Sequence, residues 1–575
     1  MNDYQITTER VDDVPLLLAH MERMGIANAI DAHFHPHGNR QGLSYGWLAV
    51  VWLTHILSQA DHRMNRVRDW VMTLITTLTA CLPVAWHPLD FTDDRLADLV
   101  RALSDDHAWM ACEATLTQAT VRIYDLETLR IRLDTSASCG YWDVTADGLF
   151  QYGHSKDHRP DLAQVKAMLA SLDPLGMPLA LTVVPGDRAD DGLYWPMIQQ
   201  VQASLQRTGL LFIGDSKLPA MATRAAIQHA QQCYLAPLNH VQLPTSAMHA
   251  WIDQVLATPL ELEPIWRTTA DGQRTLIALG SGRQVIQTAR HAHQSVTWNE
   301  QQWLIRSQAS QIAQTRALHE RVTRAEAALA DLVPTGSGRR RCPQTLDAVT
   351  AAADTILTRE RVPGLLDVTI TSHAQTRTKR AWRDRPAHEV TTVTITVTVT
   401  RNAAAVAQAE SYLGWRVYVT NQSPAHLSMA AALLAYRDEY LIERTFSRLK
   451  GQPLSVRPWF VSRADHATGL IRLLSLGLRV LTLVEYTIRT QVQQEGVPVV
   501  GLAADQPNRA TLRPTTEAVL QAFRHLTVTV IQVRGQIVRH VTPLSTLQQR
   551  LLALMRLDPC IYTRLTTHSL APPRK

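Results

Sequence analysis

Three acidic side chains in this sequence have the types and surroundings that phosphodiester chemistry uses. Asp134 lies inside RLDTSAS, Asp215 closes the apolar run LFIGD, and Glu443 lies in YRDEYLIERTFSRLKG. Two divalent ions about 4 Å apart must be clamped while they activate a nucleophile and stabilise a leaving oxygen, so carboxylates are needed from separate elements of the chain. Hard oxygen donors of this kind favour magnesium, two ions, over zinc, and also accept manganese.

The elements that must position these groups are legible in outline. TLRIRLDTSAS alternates apolar with small and β-branched residues, which predicts a strand through Asp134. VKAMLASLDPLGMPLALTVVPGD predicts two strands joined at Asp-Pro-Leu-Gly, and a helix is expected from Gly192 to Gln206. GLLFIGDSK then reads as a strand ending on Asp215, a common place for chemistry in α/β folds. The same aspartate could instead cap a helix at Ser216 to Ala220. Ser428 to Lys450 reads as one helix, on which residues seven apart return to one face, so Tyr436, Glu443 and Lys450 form a line with Glu439 and Phe446 beside it. On such a face a glutamate could hold metal, Lys450 attract a phosphate, and Tyr436 hydrogen-bond or stack, although a Glu–Lys face also fits a solvated surface.

These residues resemble the DDE-type insertion-sequence transposases of the IS-four-like superfamily, whose signature is Tyr, two residues, Arg, three residues, Glu, six residues, Lys. Tyr436, Glu443 and Lys450 stand at the matching spacings, and Glu439 occupies the arginine position, with Arg437 and Arg444 on other helical faces. LDTSAS, YGHSKDHRPDLAQV, PLALTVVPGDRADD, LFIGDSK, GWRVYVTN and LSVRPWFV follow the same family in the right order, over about residues 130 to 490. The resemblance implies an α/β, RNase H-like catalytic core with a β-rich insertion between the second aspartate and the glutamate. It is preceded by an all-α N-terminal domain and followed by a mostly helical C-terminal region. It also implies that Asp134, Asp215 and Glu443 bind two magnesium ions, nick the element's end and activate the freed 3′-hydroxyl for attack on target DNA. Tyr436, Lys450 and Arg457 would contact the transposon-end strand. The implied partners are double-stranded DNA, both the terminal inverted repeats and the target, and a second copy of the chain in a homodimer.

Length and composition frame that reading. The 575 residues exceed one ordinary domain, and 46% apolar against 19% charged residues exclude a disordered chain. The expected division is 1–125, helical and DNA-binding; 126–239, first part of the core; 240–410, an inserted unit; 411–490, second part of the core; and 491–575, a C-terminal region. In the first unit Val14 to Met24, Ser44 to Ser58, Arg66 to Leu78 and Asp94 to Leu103 have helical apolar spacing. The insertion is expected to hold a long amphipathic helix from Trp298 to Leu332, a GSGRRRCP linker and the strand-forming VTTVTITVTVTRN. A formal charge of +6, carried mostly by Arg, favours a polyanionic partner. Six scattered cysteines without a Cys-x-x-Cys pair fit a reducing cytoplasm, with the protein at the nucleoid. No signal peptide is expected, and Leu470 to Ile488, interrupted by Arg472, Arg479 and Glu485, reads as a buried helix and not a membrane span.

Two other functions compete. One is a DNA-binding transposase relic without catalysis. The other is a metal-dependent hydrolase using His33, His35 and His37 of DAHFHPHG, where Pro36 and Gly38 point to a loop instead. Two basic stretches, Gly338 to Arg341 and the series Arg377, Lys379, Arg380, Arg383 and Arg385 with Trp382, could grip a phosphate backbone or be solvated linkers.

Overall fold

A computed structural model describes residues 4–566 apart from 39, 155–158, 259–260, 270–271, 333–344, 382–385, 504–505 and 534–535. At its centre is a nine-stranded mixed sheet. In chain order its strands are β1 (Arg130–Gly140), β2 (Ala163–Leu172), β3 (Met177–Pro185), β4 (Leu211–Ile213), β5 (Cys233–Pro237), β6 (Glu263–Thr268), β7 (Arg274–His291), β8 (Gln294–Ser307) and β9 (Trp415–Thr420). Across the sheet the order is β3-β2-β1-β4-β5-β9-β8-β7-β6. β1 to β3 are antiparallel, β4 runs parallel to β1 and β5 parallel to β4, and β9 is antiparallel to both β5 and β8.

The hairpin expected at Asp-Pro-Leu-Gly is the β2–β3 turn. Gly176 closes it with φ 73°, a conformation that glycine adopts without steric cost, and donates its N–H to the Leu172 carbonyl at 2.7 Å. The central strands are buried on both faces, as crossover connections require. In β4, Phe212 joins the larger core while Leu211 and Ile213 join a second cluster with Tyr418, Leu433 and Tyr436 on the other face.

The larger core runs without interruption from the helices of residues 14–124 through β1–β3 to the late helix Ala464–Glu495. That late helix is long and apolar enough to cross a membrane, yet 94% of its most apolar window is buried inside this fold. Gly469 lets it approach helix Asp93–Leu103 so closely that a Cβ there would lie 1.8 Å from the Val100 carbonyl oxygen. Its buried charged residues find partners inside the fold. Arg472 donates to the Leu103 carbonyl, Arg479 to Thr117 Oγ1 and the Leu179 carbonyl, and Glu485 accepts from Arg444 and Arg448. One unforeseen element, the strand Tyr4–Arg10, pairs with Thr527–Val533, which pairs in turn with Gln536–Val541.

The segment 240–410 contributes in two ways. β6, β7 and β8 extend the main sheet, whereas helices Gln308–Ala330 and Leu346–Glu360 and the ribbon Leu366–Lys379/His388–Arg401 enclose a small core of their own. The helix expected from Trp298 begins only at Gln308, after Ser307 caps it by accepting the Ser310 N–H. Residues up to Ser307 pair on both sides, with β7 and β9, and that double pairing overrides their helical spacing. The basic run 338–341 lies outside the described residues.

A buried acid gives this core a pH dependence. Glu113 accepts from the Leu181 N–H (3.1 Å) and from Gln200 Nε2 (2.9 Å), with Arg479 at 3.4 Å. Burial outweighs the arginine and pushes the carboxyl up from the ordinary 4.5 to about 7. An acid raised in the folded state is accommodated best when protonated. Its contribution is therefore fully present below pH about 4.5 and is lost as pH rises to about 7. The wild-type urea midpoint should fall across this window relative to Glu113→Gln, and parallel pH profiles for the two proteins would contradict this assignment.

Candidate active site

β1 and β4 are in parallel register with Arg132 opposite Ile213, so Asp134 and Asp215 follow at matching positions two residues further on. β4 has ended by then. Asp215 Oδ1 accepts the Lys217 N–H at 2.8 Å and the buried Tyr194 hydroxyl at 2.6 Å, so both the local turn and the helix Tyr194–Leu205 fix its side chain. Burial, followed by the charge of Asp215, raises the Tyr194 hydroxyl well above its usual range, which keeps it a donor.

Alternation along β1 puts Arg132, Asp134, Ser136 and Ser138 on one face. The structure gathers the other sequence-predicted residues along this row. Arg132 reaches the carbonyls of Ala435 and Tyr436; Ser136 and Ser138 line a recess with Phe446, Leu449 and Lys450; Ser138 Oγ accepts from Arg457 Nε (3.1 Å) and Trp459 Nε1 (3.0 Å). Tyr436 is buried, with its ring edge-on to Tyr418 at 5.0 Å, so base stacking is not open to it in this arrangement.

The helix expected over Ser428–Lys450 is two helices, Met429–Arg437 and Tyr440–Lys450, separated at Asp438 and Glu439. The cause is Arg132. Its guanidinium is only 3% exposed and takes the last-turn carbonyls of the first helix while pairing with Asp173 at 3.2 Å. The Glu439 N–H turns back to the Tyr436 carbonyl at 3.1 Å, a tighter winding than an α-helix. Tyr436, Glu443 and Lys450 are therefore not three points on one continuous helical face.

The break determines which glutamate meets the aspartates. A cavity of ≈ 10 Å³ is lined by Arg132, Asp134, Asp215, Tyr436, Glu439 and Ile442, while Glu443 is exposed one turn beyond. That volume holds about one water-sized species. Burial raises the Glu439 carboxyl, and the charges of Glu443 and Asp215 raise it further, against Arg416 and Arg132. Among the described residues, no three His, Cys, Asp or Glu side chains stand together as a formed metal site. The sequence places Glu439 beside the Tyr436–Glu443–Lys450 line and at the signature's arginine position, and does not single out Arg132 or Tyr194. An arginine flanked by Ile131 and Leu133 was the available signal for Arg132; Tyr194 gave none.

The N-terminal histidines do not assemble into a comparable group. His33 Nε2 bonds to Thr115 Oγ1 at 2.8 Å, and His35 and His37 are exposed on the loop that Pro36 and Gly38 had indicated.

No family model matches the chain, and no curated relative was found. Among solved structures it is similar to a piggyBac transposase in a synaptic complex with hairpin DNA, at 8% identity over 81% of this chain and 80% of that one, with a TM-score of 0.23. That score is too low to carry a functional conclusion.

The Arg132 clamp is directly testable. Arg132→Met leaves Asp173 buried without its partner and should cost about 3–5 kcal/mol in urea unfolding. It should also speed hydrogen exchange at the amides of residues 439–443 more than at β2. Unchanged exchange at the break would show that something other than Arg132 holds it.

Proposed function

We propose that the chain is a DDE transposase with an RNase H-like core, related to the IS-four-like insertion-sequence enzymes. It would bind transposon-end DNA and catalyse phosphodiester hydrolysis and strand transfer. The observation that carries this reading is the convergence of Asp134 and Asp215 at matching register positions, from adjacent parallel strands, beneath the helix that holds Glu443. The sheet around them, three antiparallel strands continued by two parallel ones with more β-structure before Glu443, is consistent with the implied core and insertion.

Asp134, Asp215 and Glu443 are the proposed ligands of magnesium, or manganese, with Glu439 as a fourth carboxylate between them. Their oxygen donors suit a hard divalent cation, which when bound supplies charge neutralisation and an activated oxygen nucleophile. Glu443 stands exposed one turn beyond the recess that Asp134, Asp215 and Glu439 line. Tyr194 holds Asp215 in place, while Arg132 holds the break against the strand that carries Asp134. Lys450 and Arg457, half-buried further along the β1 row, are placed to meet the phosphates of an end strand entering along it. Terminal inverted repeats, a target duplex, a homodimer and residence at a bacterial nucleoid belong to the same reading.

The test is cleavage of duplex DNA carrying the terminal repeats that flank the gene, with and without magnesium. Asp134→Asn, Asp215→Asn and Glu443→Gln should each lower cleavage by about 1000-fold or more, roughly 4 kcal/mol of barrier. Glu439→Gln should cost less. If Glu439→Gln abolishes cleavage and Glu443→Gln does not, the third ligand is Glu439. Tight binding with no metal-dependent cleavage would make the chain a relic, and cleavage indifferent to Asp134→Asn would end the proposal.

A further inference from the structure

The ribbon Leu366–Lys379/His388–Arg401 is an antiparallel pair in continuous register over all fourteen residues of each strand, about 45 Å long. Its two faces differ in chemistry. One carries Leu366, Val368, Ile370, Ile395, Val397 and Val399, and its base packs on helices Gln308–Ala330 and Leu346–Glu360. Arg401 ties that base to Glu326 at 2.6 Å.

The opposite face has no packing role. Past Asp367 at its base it presents paired threonines (Thr369 with Thr398, Thr371 with Thr396), then His373, Gln375, Arg377, Lys379 and His388, and no acid. All of these are exposed, and Arg380 follows them, also exposed. Glu389, the acid near the tip, is on the other face, opposite Thr378. The sequence reading had left this basic series open between a grip and a linker, and Trp382, Arg383 and Arg385 lie outside the described residues.

A two-stranded ribbon has the width to enter the major groove of B-form DNA. Threonine hydroxyls, a glutamine amide, and arginine and lysine are the groups that meet phosphates and sugars. We propose that this polar face is a duplex-DNA docking surface, set apart from the carboxylate cavity. It deepens the transposase reading by naming a contact with DNA that cleavage does not report. A-form RNA has too narrow and deep a major groove to take the ribbon, so DNA is the partner the shape selects.

The test is equilibrium binding of the full chain to a 5′-labelled random-sequence duplex of about 40 base pairs without divalent metal, across a salt series. The triple variant Arg377→Gln, Lys379→Gln, Arg380→Gln should bind at least about 10-fold more weakly, with a log–log salt slope shallower by about 2 to 3. Glu389→Gln, on the other face, should bind at least as well as wild type. Equal affinity and slope for the triple variant would overturn the proposal. So would the absence of DNA binding by wild type, tighter binding to the RNA duplex of the same sequence, or a change in oligomeric state that identifies the ribbon as a contact between copies of the chain. Metal-dependent cleavage together with an ineffective triple variant would remove the ribbon and leave the transposase reading intact. Lost binding with no cleavage by wild type would do the reverse.

Discussion

A buried guanidinium organises this site. Arg132 stands two residues before Asp134 on the central strand, almost wholly excluded from water, and its charge has to be met inside the protein. Asp173, at the β2–β3 turn, meets part of it, and the carbonyls of Ala435 and Tyr436 meet the rest. The Ala435 carbonyl is an orphaned acceptor at a helix end, so there the two needs cancel. The result is a covalently remote segment, 429–450, pinned over the strand that carries the first aspartate. That pin adds to the burial of Ile442, Phe446 and Leu449 in the larger core, which seats the glutamate-bearing helix over the sheet.

What lies behind the sheet explains why the pin can hold. β1 to β3 are backed by helices of residues 106–124 and 464–495, and the latter brings Arg479 into contact with Glu113, Thr117 and the Leu179 carbonyl of β3. A second buried guanidinium thus joins an early helix, the sheet and a late helix, as the first joins the sheet to 429–450. Glu485 gathers Arg444, Arg448 and Arg489 and so ties the glutamate-bearing helix to the same late helix. Buried ion pairs thus hold the strand of Asp134 and the helix of Glu443 to the rest of the fold. That arrangement favours unique geometry more than net stability, since buried pairs recover little beyond their desolvation cost.

The sequence was most legible where local pattern and tertiary role coincide. Asp134 lies in a strand with clear alternation, Asp215 ends an apolar run, and the Asp-Pro-Leu-Gly turn has its own chemistry, so these read correctly from a few residues. Three features depend on partners elsewhere in the chain and are not readable from local pattern. The break at 438–439 sits in a stretch with uniformly helical propensity and arises from Arg132. The strand Tyr4–Arg10 exists because Thr527–Val533 offers it an edge. The run QQWLIRS has apolar spacing that suits either a helix or a buried strand, and the decision comes from pairing with β7 and β9. Tyr194 is a fourth case. A tyrosine on a helix acquires its role only through the depth at which it meets Asp215.

Charge is distributed unevenly over the molecule, and the unevenness has a direction. The chain carries +6 overall, yet its candidate centre concentrates Asp134, Asp215, Glu439 and, one turn away, Glu443, against Arg132 and Arg416. Arg132 is already committed to Asp173 and to carbonyls. The centre therefore repels a polyanion unless cations intervene; burial first, and then the charges of Glu443 and Asp215, raise the Glu439 carboxyl. The ribbon's polar face, free of acids past its base, has the opposite character. At physiological ionic strength the Debye length is about 8 Å, so each region acts on an anionic ligand only at close range. On the proposed reading, affinity generated at the basic face would hold a phosphodiester against an acidic centre that would not attract it alone, and a divalent cation would be the condition for the two to work on the same molecule.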